Sequence, residues 1–367
     1  MLPTGCVLEC KGCKHREWTM EESLNQKYNF LSAKLSAWID ALEPVVSAPE
    51  AQRWEYRCKT NLNARWDEKG WHFGMMSRDE LIEIPDCPLH KTDVNNILRL
   101  LRKCLPKAQE IPLAYYVQSS AQVVLIVKSK DRVNTSWLND EVIIELKRYG
   151  VEGFWLHYNP SAGRRLFEKT KWELLFGKKR SIDINGLLYG PGAFQQLIPS
   201  LYNQSLDVAS NFLNNTKDNS IIDLYCGTGT SMSRWIRNGS NVMGVEVGAE
   251  SIECAKLNVP TATIFRGACR QRVPQINGWV TQQRDMGSEV YLYANPPRTG
   301  IEQEVLDWII KEGKPQKIAY LSCSAGTLSK NLIVLTNNGY RVNRLVPYDF
   351  FPQTIHVECL ALLERDE

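Results

Sequence analysis

The C-terminal third of the chain carries three short polar motifs that could perform chemistry together. They are Asn295-Pro296-Pro297-Arg298, Cys323 and Glu358, in that order. Asn295 supplies a hydrogen-bond donor and an acceptor, Cys323 a thiol that could act as a nucleophile, and Glu358 a carboxylate that could act as a base. A thiolate that adds to carbon 6 of a uracil activates carbon 5, and a base must then remove the proton from carbon 5. The set therefore favours group transfer to carbon 5 of a uracil.

A glycine-containing loop upstream of these motifs could bind a nucleoside cofactor. Gly227 and Gly229 follow the apolar run at 221–225, and Glu246 ends the next apolar run. Glycines at such a turn let a ligand approach the backbone closely, and a carboxylate at the position of Glu246 accepts hydrogen bonds from ribose hydroxyls. The loop lacks the three-glycine fingerprint of pyrophosphate cofactors, so the sequence favours S-adenosylmethionine.

The pattern of apolar runs predicts two domains of different class. Between residues 221 and 321, short apolar runs alternate with helical stretches, and two more strand-like runs, within 341–363, could close the edge of the sheet as a hairpin. This alternation is typical of a doubly wound parallel sheet, so residues 186–367 are predicted to form an α/β, Rossmann-like domain. Residues 1–185 contain strand patterns typical of antiparallel pairing together with helical stretches, and they predict an α+β domain.

The composition is that of an ordinary soluble globular protein. Hydrophobic residues make up 43% and charged residues 23%, and no apolar stretch approaches the roughly 18 residues of a membrane-spanning helix. The N-terminus lacks the features of a secretory signal, and the 11 cysteines are spread unlike those of a disulfide scaffold. We therefore expect a cytoplasmic protein without a membrane segment, and a monomer with no obligate protein partner.

Positive charge is concentrated in the first half of the chain. Residues 1–185 hold 28 Lys and Arg against 24 Asp and Glu, whereas residues 186–367 hold 16 against 17. Contact with RNA phosphates is therefore expected mainly in the first domain. The candidate backbone and stacking contacts, which could equally be structural strand positions, are Arg53, Trp54, Tyr56, Arg57, Lys59 and Arg65.

Three cysteines near the N-terminus predict a metal site. Cys6, Cys10 and Cys13 lie within one short polar segment, where a role in a hydrophobic core is not expected. Thiolates at such spacing bind either an iron–sulfur cluster or zinc, and the spacing leaves both open.

Together these motifs resemble those of the RNA uracil-5 methyltransferase family, and the resemblance extends from Cys6 to the C-terminus. Asn295 stands where other members carry Asp. In this the chain most resembles the branch of the family that methylates 23S rRNA without a TRAM domain. The resemblance implies a class I S-adenosylmethionine methyltransferase domain that makes 5-methyluridine. It implies RNA as the substrate, with rRNA expected first and tRNA as the alternative.

The resemblance also implies roles for individual residues. Cys323 would be the nucleophile and Glu358 the base, and His356 is a weaker candidate for carrying a proton. Cofactor contacts would come from Gln196 of the Phe194-Gln195-Gln196 motif, Tyr225, Gly227, Glu246 and Asn295. Cys87 would join Cys6, Cys10 and Cys13 as a ligand of a [4Fe–4S] cluster, with zinc as the less favoured occupant.

Two other readings compete with this one, a methyltransferase of different chemistry and an RNA-binding protein with a decayed site. An amino-group methyltransferase would carry an aromatic residue after Asn-Pro-Pro, and a cytosine-5 enzyme would carry a cysteine, but Arg298 occupies that place. An RNA-binding protein with a decayed site is the other alternative. It draws on two departures from the family's pattern, Ser324-Ala325 in place of Asn-Pro and the absence of an acidic residue at 266–269. The intact Cys323 and Glu358 favour the enzyme.

Overall fold

The computed structural model describes residues 2–163, 166–168, 171–214, 216 and 218–366. The chain divides into two compact units. The first comprises residues 1–17, 50–183 and 189–197, and the second comprises 18–49, 184–188 and 198–367.

The helices and strands follow one another in nearly the order that the sequence predicts. The α-helices are α1 (Met20–Lys34), α2 (Thr92–Cys104), α3 (Asp140–Arg148), α4 (Pro199–Phe212), α5 (Thr230–Arg237), α6 (Ala249–Asn258), α7 (Cys269–Asp285), α8 (Gln303–Trp308) and α9 (Ala325–Thr336). The strands are β1 (Val46–Ser47), β2 (Lys59–Asp67), β3 (Gly70–Ser77), β4 (Glu80–Glu83), β5 (Leu113–Ser119), β6 (Gln122–Val127), β7 (Gly153–Tyr158), β8 (Trp172–Gly177), β9 (Ser181–Ile182), β10 (Leu188–Tyr189), β11 (Asn219–Leu224), β12 (Asn241–Glu246), β13 (Thr263–Arg266), β14 (Glu289–Ala294), β15 (Lys317–Ser322), β16 (Tyr340–Asp349) and β17 (Glu358–Arg365). Among the described helices, none combines the length and hydrophobicity needed to span a bilayer.

The first unit is built on a sheet with the strand order β4-β3-β2-β5-β6-β7-β8. Neighbouring strands run antiparallel except for β6 and β7, which are parallel and are connected through α3. Apolar residues of α2 and α3, among them Ile97, Leu101 and Leu146, share one core with the sheet. The unit is therefore an α+β module whose helices cover the sheet.

The second unit is an α/β fold with the strand order β1-β16-β17-β15-β14-β11-β12-β13. Strands β11 to β15 pair in parallel, and β17 runs antiparallel to both β15 and β16. The predicted C-terminal hairpin is present, but it does not close the sheet. Strand β17 inserts between β15 and β16, and β1 adds to β16 in parallel beyond the hairpin.

Helix α1 belongs to the second unit, although the sequence boundary placed it in the first domain. Thr19 caps the helix and forms a capping box with Glu22, which explains where the helix begins. Leu31 and Leu35 are fully buried in the same hydrophobic core as residues of α9 such as Leu332. The hydrophobic stripe of a helix shows that it packs but does not identify its partner, so the sequence could not make this assignment.

Candidate active site

The carboxyl ends of the parallel strands of the second unit bring most of the predicted site residues to one edge of the sheet. Gly227 follows β11, Glu246 ends β12, Asn295 follows β14 and Cys323 follows β15. This edge is where open α/β sheets bind their ligands. Motifs that are far apart in the sequence are therefore neighbours at this edge.

Glu358 reaches the same edge because β17 runs antiparallel to β15. Ser322 pairs with Cys359 across these strands, and continuing that register by one residue sets Cys323 opposite Glu358. Cys323 is half-buried, whereas Glu358 is only 4% exposed. The predicted nucleophile and the predicted base are therefore neighbours.

The electrostatics of this pair depend on burial and on Arg298. Burial raises the pKa of the Cys323 thiol, and the Glu358 carboxylate raises it further, while Arg298 lowers it. Burial also raises the pKa of Glu358 to about 7, against the lowering effect of Arg298. Arg298 thus favours the ionised form of both groups. This effect of Arg298 could not be predicted from the sequence, where its place directly after the two prolines is the available signal.

Hydroxyl groups hold the turns that carry Cys323 and Arg298. The Ser324 backbone N–H donates to Ser322 Oγ (3.3 Å), and Ser324 Oγ lies 3.0 Å from Thr327 Oγ1. Thr327 Oγ1 in turn donates to the Arg298 carbonyl (3.0 Å). These bonds stabilise the turn in which Ser324-Ala325 replaces the family's Asn-Pro, so the replacement does not leave the turn without support.

Gly300 allows the two turns to approach each other. Its φ is +79°, and a Cβ atom at this position would lie 2.4 Å from Thr327 Cγ2. Both the left-handed backbone and the close approach require glycine.

The cofactor loop is organised around Glu246. One carboxylate oxygen accepts from the Gly227 N–H (3.1 Å) and the other from the Gly248 N–H (2.6 Å). Gly227 and Gly229 both have positive φ, at +56° and +87°, which bends the chain from β11 into α5. Each carboxylate oxygen has a second lone pair, so Glu246 retains acceptor capacity for ribose hydroxyls.

The remaining predicted cofactor residues have diverse surroundings. Tyr225 has a left-handed backbone (φ +61°), and its hydroxyl donates to Glu302 Oε2 (2.5 Å). Burial raises the pKa of Tyr202 of α4, and the nearby Asn295 side chain lowers it. Gln196 belongs to the first unit, where its amide Nε2 is buried without a hydrogen-bond partner among the described residues. The stretch at 266–269, where an acidic residue was expected, runs from the last residue of β13 to the first residue of α7 and offers no carboxylate.

The four predicted metal ligands line one cavity in the first unit. Cys6, Cys10, Cys13 and Cys87 share this cavity with Arg16, Trp54 and Ile84, among other residues. Burial raises the pKa of Cys13 to about 12, and the neighbouring Cys87 and Cys10 thiolates raise it as well. Within the described residues, no group of three or more His, Cys, Asp or Glu side chains has the arrangement of a formed metal centre. The thiols thus face a common space without converging on one point.

Arg16 and Gly5 shape the loop that carries three of these cysteines. Arg16 Nη1 donates to the carbonyls of Cys10 (2.6 Å) and Val7 (3.3 Å). A Cβ atom on Gly5, whose φ is +80°, would lie 2.1 Å from the Asp86 carbonyl oxygen, next to Cys87 in the chain. The loop is therefore fitted closely to the segment that carries the fourth cysteine. Sequence analysis missed both residues.

Two of the six predicted RNA contacts of the first domain are buried. Arg53 and Tyr56 are buried, with 3% and 5% exposure, and Arg57 and Lys59 are half-buried. Lys59 Nζ donates to the Ala193 carbonyl (2.9 Å) instead of facing solvent. Of the six candidates, Arg65 is exposed. For Arg53 and Tyr56 burial favours the structural alternative, although both residues precede β2 instead of lying on it.

Comparison with known proteins points to one chemistry. Residues 281–366 match the family model described as tRNA (uracil-5-)-methyltransferase. An RNA methyltransferase of Clostridium tetani is 26% identical over 398 residues, covering 98% of this chain and 83% of that protein. The 23S rRNA (uracil(1939)-C(5))-methyltransferase RlmD of Shewanella woodyi is 26% identical over 372 residues, covering 97% of this chain and 80% of that protein.

A solved structure shares the fold over nearly the whole chain. It is the tRNA (uracil-54, C5)-methyltransferase of Pyrococcus abyssi in complex with S-adenosyl-L-homocysteine, with a TM-score of 0.72 and 20% sequence identity. The similarity covers 97% of this chain and 85% of that one.

Proposed function

The chain belongs to the RNA (uracil-5-)-methyltransferase family, and from this premise we propose that it methylates carbon 5 of a uridine in 23S rRNA with S-adenosylmethionine as the methyl donor. The observation that carries the proposal is the register of β15 and β17, which sets Cys323 opposite Glu358 at the ligand-binding edge of the sheet. The relatives named for 23S rRNA favour rRNA, whereas the family model and the solved structure are named for tRNA.

The methyl donor would bind at the loop between β11 and α5. Glu246 would accept hydrogen bonds from ribose hydroxyls, and the positive-φ Gly227 and Gly229 would let the ligand approach the backbone. When bound, S-adenosylmethionine supplies an electrophilic methyl group and leaves as S-adenosylhomocysteine. Asn295, which follows β14 at the same edge, would contact the uracil edge or the cofactor.

Cys323 would begin the reaction by adding its sulfur to carbon 6 of the uracil. A carbon–sulfur bond forms, and the electrons of the carbon 5–carbon 6 double bond move onto carbon 5 and the carbon 4 carbonyl. Arg298 favours the thiolate form of Cys323. Carbon 5 then forms its bond to the incoming methyl group.

Glu358 would complete the reaction as the base. Its carboxylate takes the proton from carbon 5, the double bond between carbons 5 and 6 is restored, and the carbon–sulfur bond breaks to return the Cys323 thiolate. A carboxyl group whose pKa lies at about 7 is well matched to this task near neutral pH.

We expect the purified protein to form 5-methyluridine in RNA. Unmodified 23S rRNA and unmodified tRNA transcripts are incubated separately with S-adenosylmethionine labelled in the methyl group, and the nucleosides are analysed by mass spectrometry. Label in 5-methyluridine from 23S rRNA supports the proposal, and label from tRNA alone transfers it to tRNA. Label in an amino-methylated base, or RNA binding without any label, would replace the proposal with one of the two alternatives.

We also propose that Cys6, Cys10, Cys13 and Cys87 hold a [4Fe–4S] cluster. Support comes from the shared cavity and from the four thiol donors, a set that suits iron–sulfur clusters and also zinc. The convergence that the thiols lack in the described residues would come with binding, since metal sites commonly form together with their ligand. The cluster would connect the N-terminal loop to the Cys87 segment.

Protein purified without oxygen is expected to contain about four iron and four sulfide ions per chain. Elemental analysis and sulfide determination measure this content directly. Cys87→Ala should lose most of the iron, whereas Cys104→Ala, a half-buried cysteine of the same unit outside the cavity, should retain it. One zinc ion per chain would support the four cysteine ligands but exclude the iron–sulfur cluster. Unaltered protein without any metal would exclude both the ligand set and the cluster.

A further inference from the structure

A buried ion pair connects helix α1 to the end of strand β16. Lys27 Nζ is paired with a carboxylate oxygen of Asp349, and both side chains are fully buried. Nζ also donates to the Phe351 carbonyl (3.2 Å). The pair lies entirely within the second unit and outside the residues that the proposed mechanism uses.

Such a pair is not explained by stability. Removing two charges from water costs about as much as their attraction returns, and well-packed hydrophobic residues often do equally well. Lys27 is moreover one of the buried residues of α1, which also include the apolar Leu31. A role in fixing one conformation of the segment after Asp349 accounts for the pair better.

The segment after Asp349 leads directly to Glu358. The Phe351 carbonyl, which accepts from Lys27, also accepts from the Thr354 N–H (3.2 Å) and from Thr354 Oγ1 (2.8 Å). Thr354 Oγ1 accepts in turn from the His356 N–H (3.1 Å). A continuous series of hydrogen bonds therefore runs from Lys27 to the backbone two residues before Glu358.

The turn itself has a conformation that needs support. Gln353 has a φ of +65°, in the left-handed region that residues other than glycine rarely adopt. Gln353 and Thr354 are nevertheless buried, with 5% and 3% exposure. Surroundings that fix this backbone conformation also help to fix the position of a side chain further along the chain, here that of Glu358.

We propose that Lys27 is a positioning residue that holds the turn at 349–356 and, through it, the carboxylate of Glu358 in reach of carbon 5. The proposal rests on the function proposed above. Lys27 does not contact the reacting atoms. Its loss should therefore slow the step that needs Glu358 and spare the steps that need Cys323.

The test uses a variant in which neither charge remains buried alone, Lys27→Met combined with Asp349→Leu. We expect it to fold and to keep the KM for RNA, while kcat falls by roughly 10- to 100-fold, the loss that a misplacement of about 1 Å can cause. Methylated RNA should stay attached to the protein through Cys323, because proton removal precedes release. A denaturing gel with ordinary uridine-containing RNA detects this adduct.

The matched control removes the ion pair of Glu43 and Arg344, by Glu43→Gln with Arg344→Met. This pair also connects the segment after α1 to β16, but it is partly exposed, and Arg344 precedes the turn at 349–356. It should leave kcat unchanged and give no adduct. Thr354→Val serves as a second test variant, since it breaks the same series of hydrogen bonds without touching the ion pair.

Three outcomes are distinguishable. Adduct accumulation in the Lys27→Met/Asp349→Leu variant or in Thr354→Val, with normal RNA affinity, supports the positioning role. Lower thermal stability without adduct in both variants overturns it and makes the pair structural. If neither Glu358→Gln nor the unaltered protein shows adduct or 5-methyluridine, the proposed function itself fails.

Discussion

Replacing Cys323 with alanine is expected to abolish covalent attachment to RNA and to lower methyl transfer by ~10³-fold or more. Carbon 5 of uracil is a poor nucleophile until a thiolate has added to carbon 6. Cys323 is the cysteine that directly follows β15, and its thiol lies within electrostatic reach of Glu358. The residual protein should still bind the cofactor, since Glu246 and the glycine loop are unchanged.

The measurement uses RNA in which 5-fluorouracil replaces uracil. Fluorine at carbon 5 cannot leave as a proton, so the adduct of the unaltered protein persists on a denaturing gel in the presence of S-adenosylmethionine. Cys254→Ala is the matched control, because it removes a buried thiol of the same unit in α6 and should form the adduct normally. An adduct in Cys323→Ala, or methyl transfer at the normal rate, would remove Cys323 from the mechanism.

The sequence could predict that the candidate site residues lie together because strand ends are marked in it. In a parallel sheet the residues that follow consecutive strands lie at one edge, so the order Gly227, Glu246, Asn295, Cys323 already implies neighbourhood. Glu358 needed one more piece of information. Its proximity depends on β17 inserting beside β15 instead of closing the sheet, and strand order is not encoded in local periodicity.

What the sequence could not predict is mostly burial that depends on distant segments. From the sequence, Lys27 looks like an ordinary surface lysine of an amphipathic helix. Only the packing of α1 against the rest of the second unit buries it next to Asp349. Arg53 looked like an exposed RNA contact for the same reason, since the local sequence does not show that it is buried. Charged residues are rarely buried without a partner, and the partner of Lys27 lies 322 positions away in the chain.

The departure from the family's pattern at 324–325 is a smaller example of what the sequence alone could not predict. From sequence, Ser324-Ala325 weakens the comparison with the family because a proline is missing from the turn. In the structure, side-chain hydroxyls of Ser324 and Thr327 bridge the two site turns instead. A different set of residues thus supports the position of Cys323, and only the distances reveal it.

Replacing Glu358 with glutamine is expected to block turnover while leaving a covalent RNA adduct on ordinary uridine. Cys323 can still add to carbon 6 and carbon 5 can still receive the methyl group, but the proton on carbon 5 has no base to accept it. The carbon–sulfur bond therefore persists. Multiple-turnover methylation should fall by ~10²-fold or more, the usual contribution of general base catalysis, and the adduct should contain one methyl group per RNA.

The same substitution should make the protein more stable in alkaline solution. Burial raises the folded pKa of Glu358 to about 7, above the ordinary value of 4.5, so the folded state favours the neutral acid. The stability that this group contributes is fully present below pH 4.5 and is lost as the pH rises through about 7. Glutamine is never ionised, so the variant should exceed the unaltered protein by about 1–3 kcal/mol above pH 7 and equal it near pH 4.5.

Urea unfolding at both pH values measures this difference. Asp223, whose pKa burial also raises to about 7, loses stability over the same range, but it is present in both proteins and cancels in the comparison. Gain of stability together with loss of turnover would identify Glu358 as a residue kept for chemistry at a cost to the fold. Equal stability at both pH values would mean that Glu358 is not strained by burial, and an adduct-free inactive variant would mean that it acts before the methyl group is transferred.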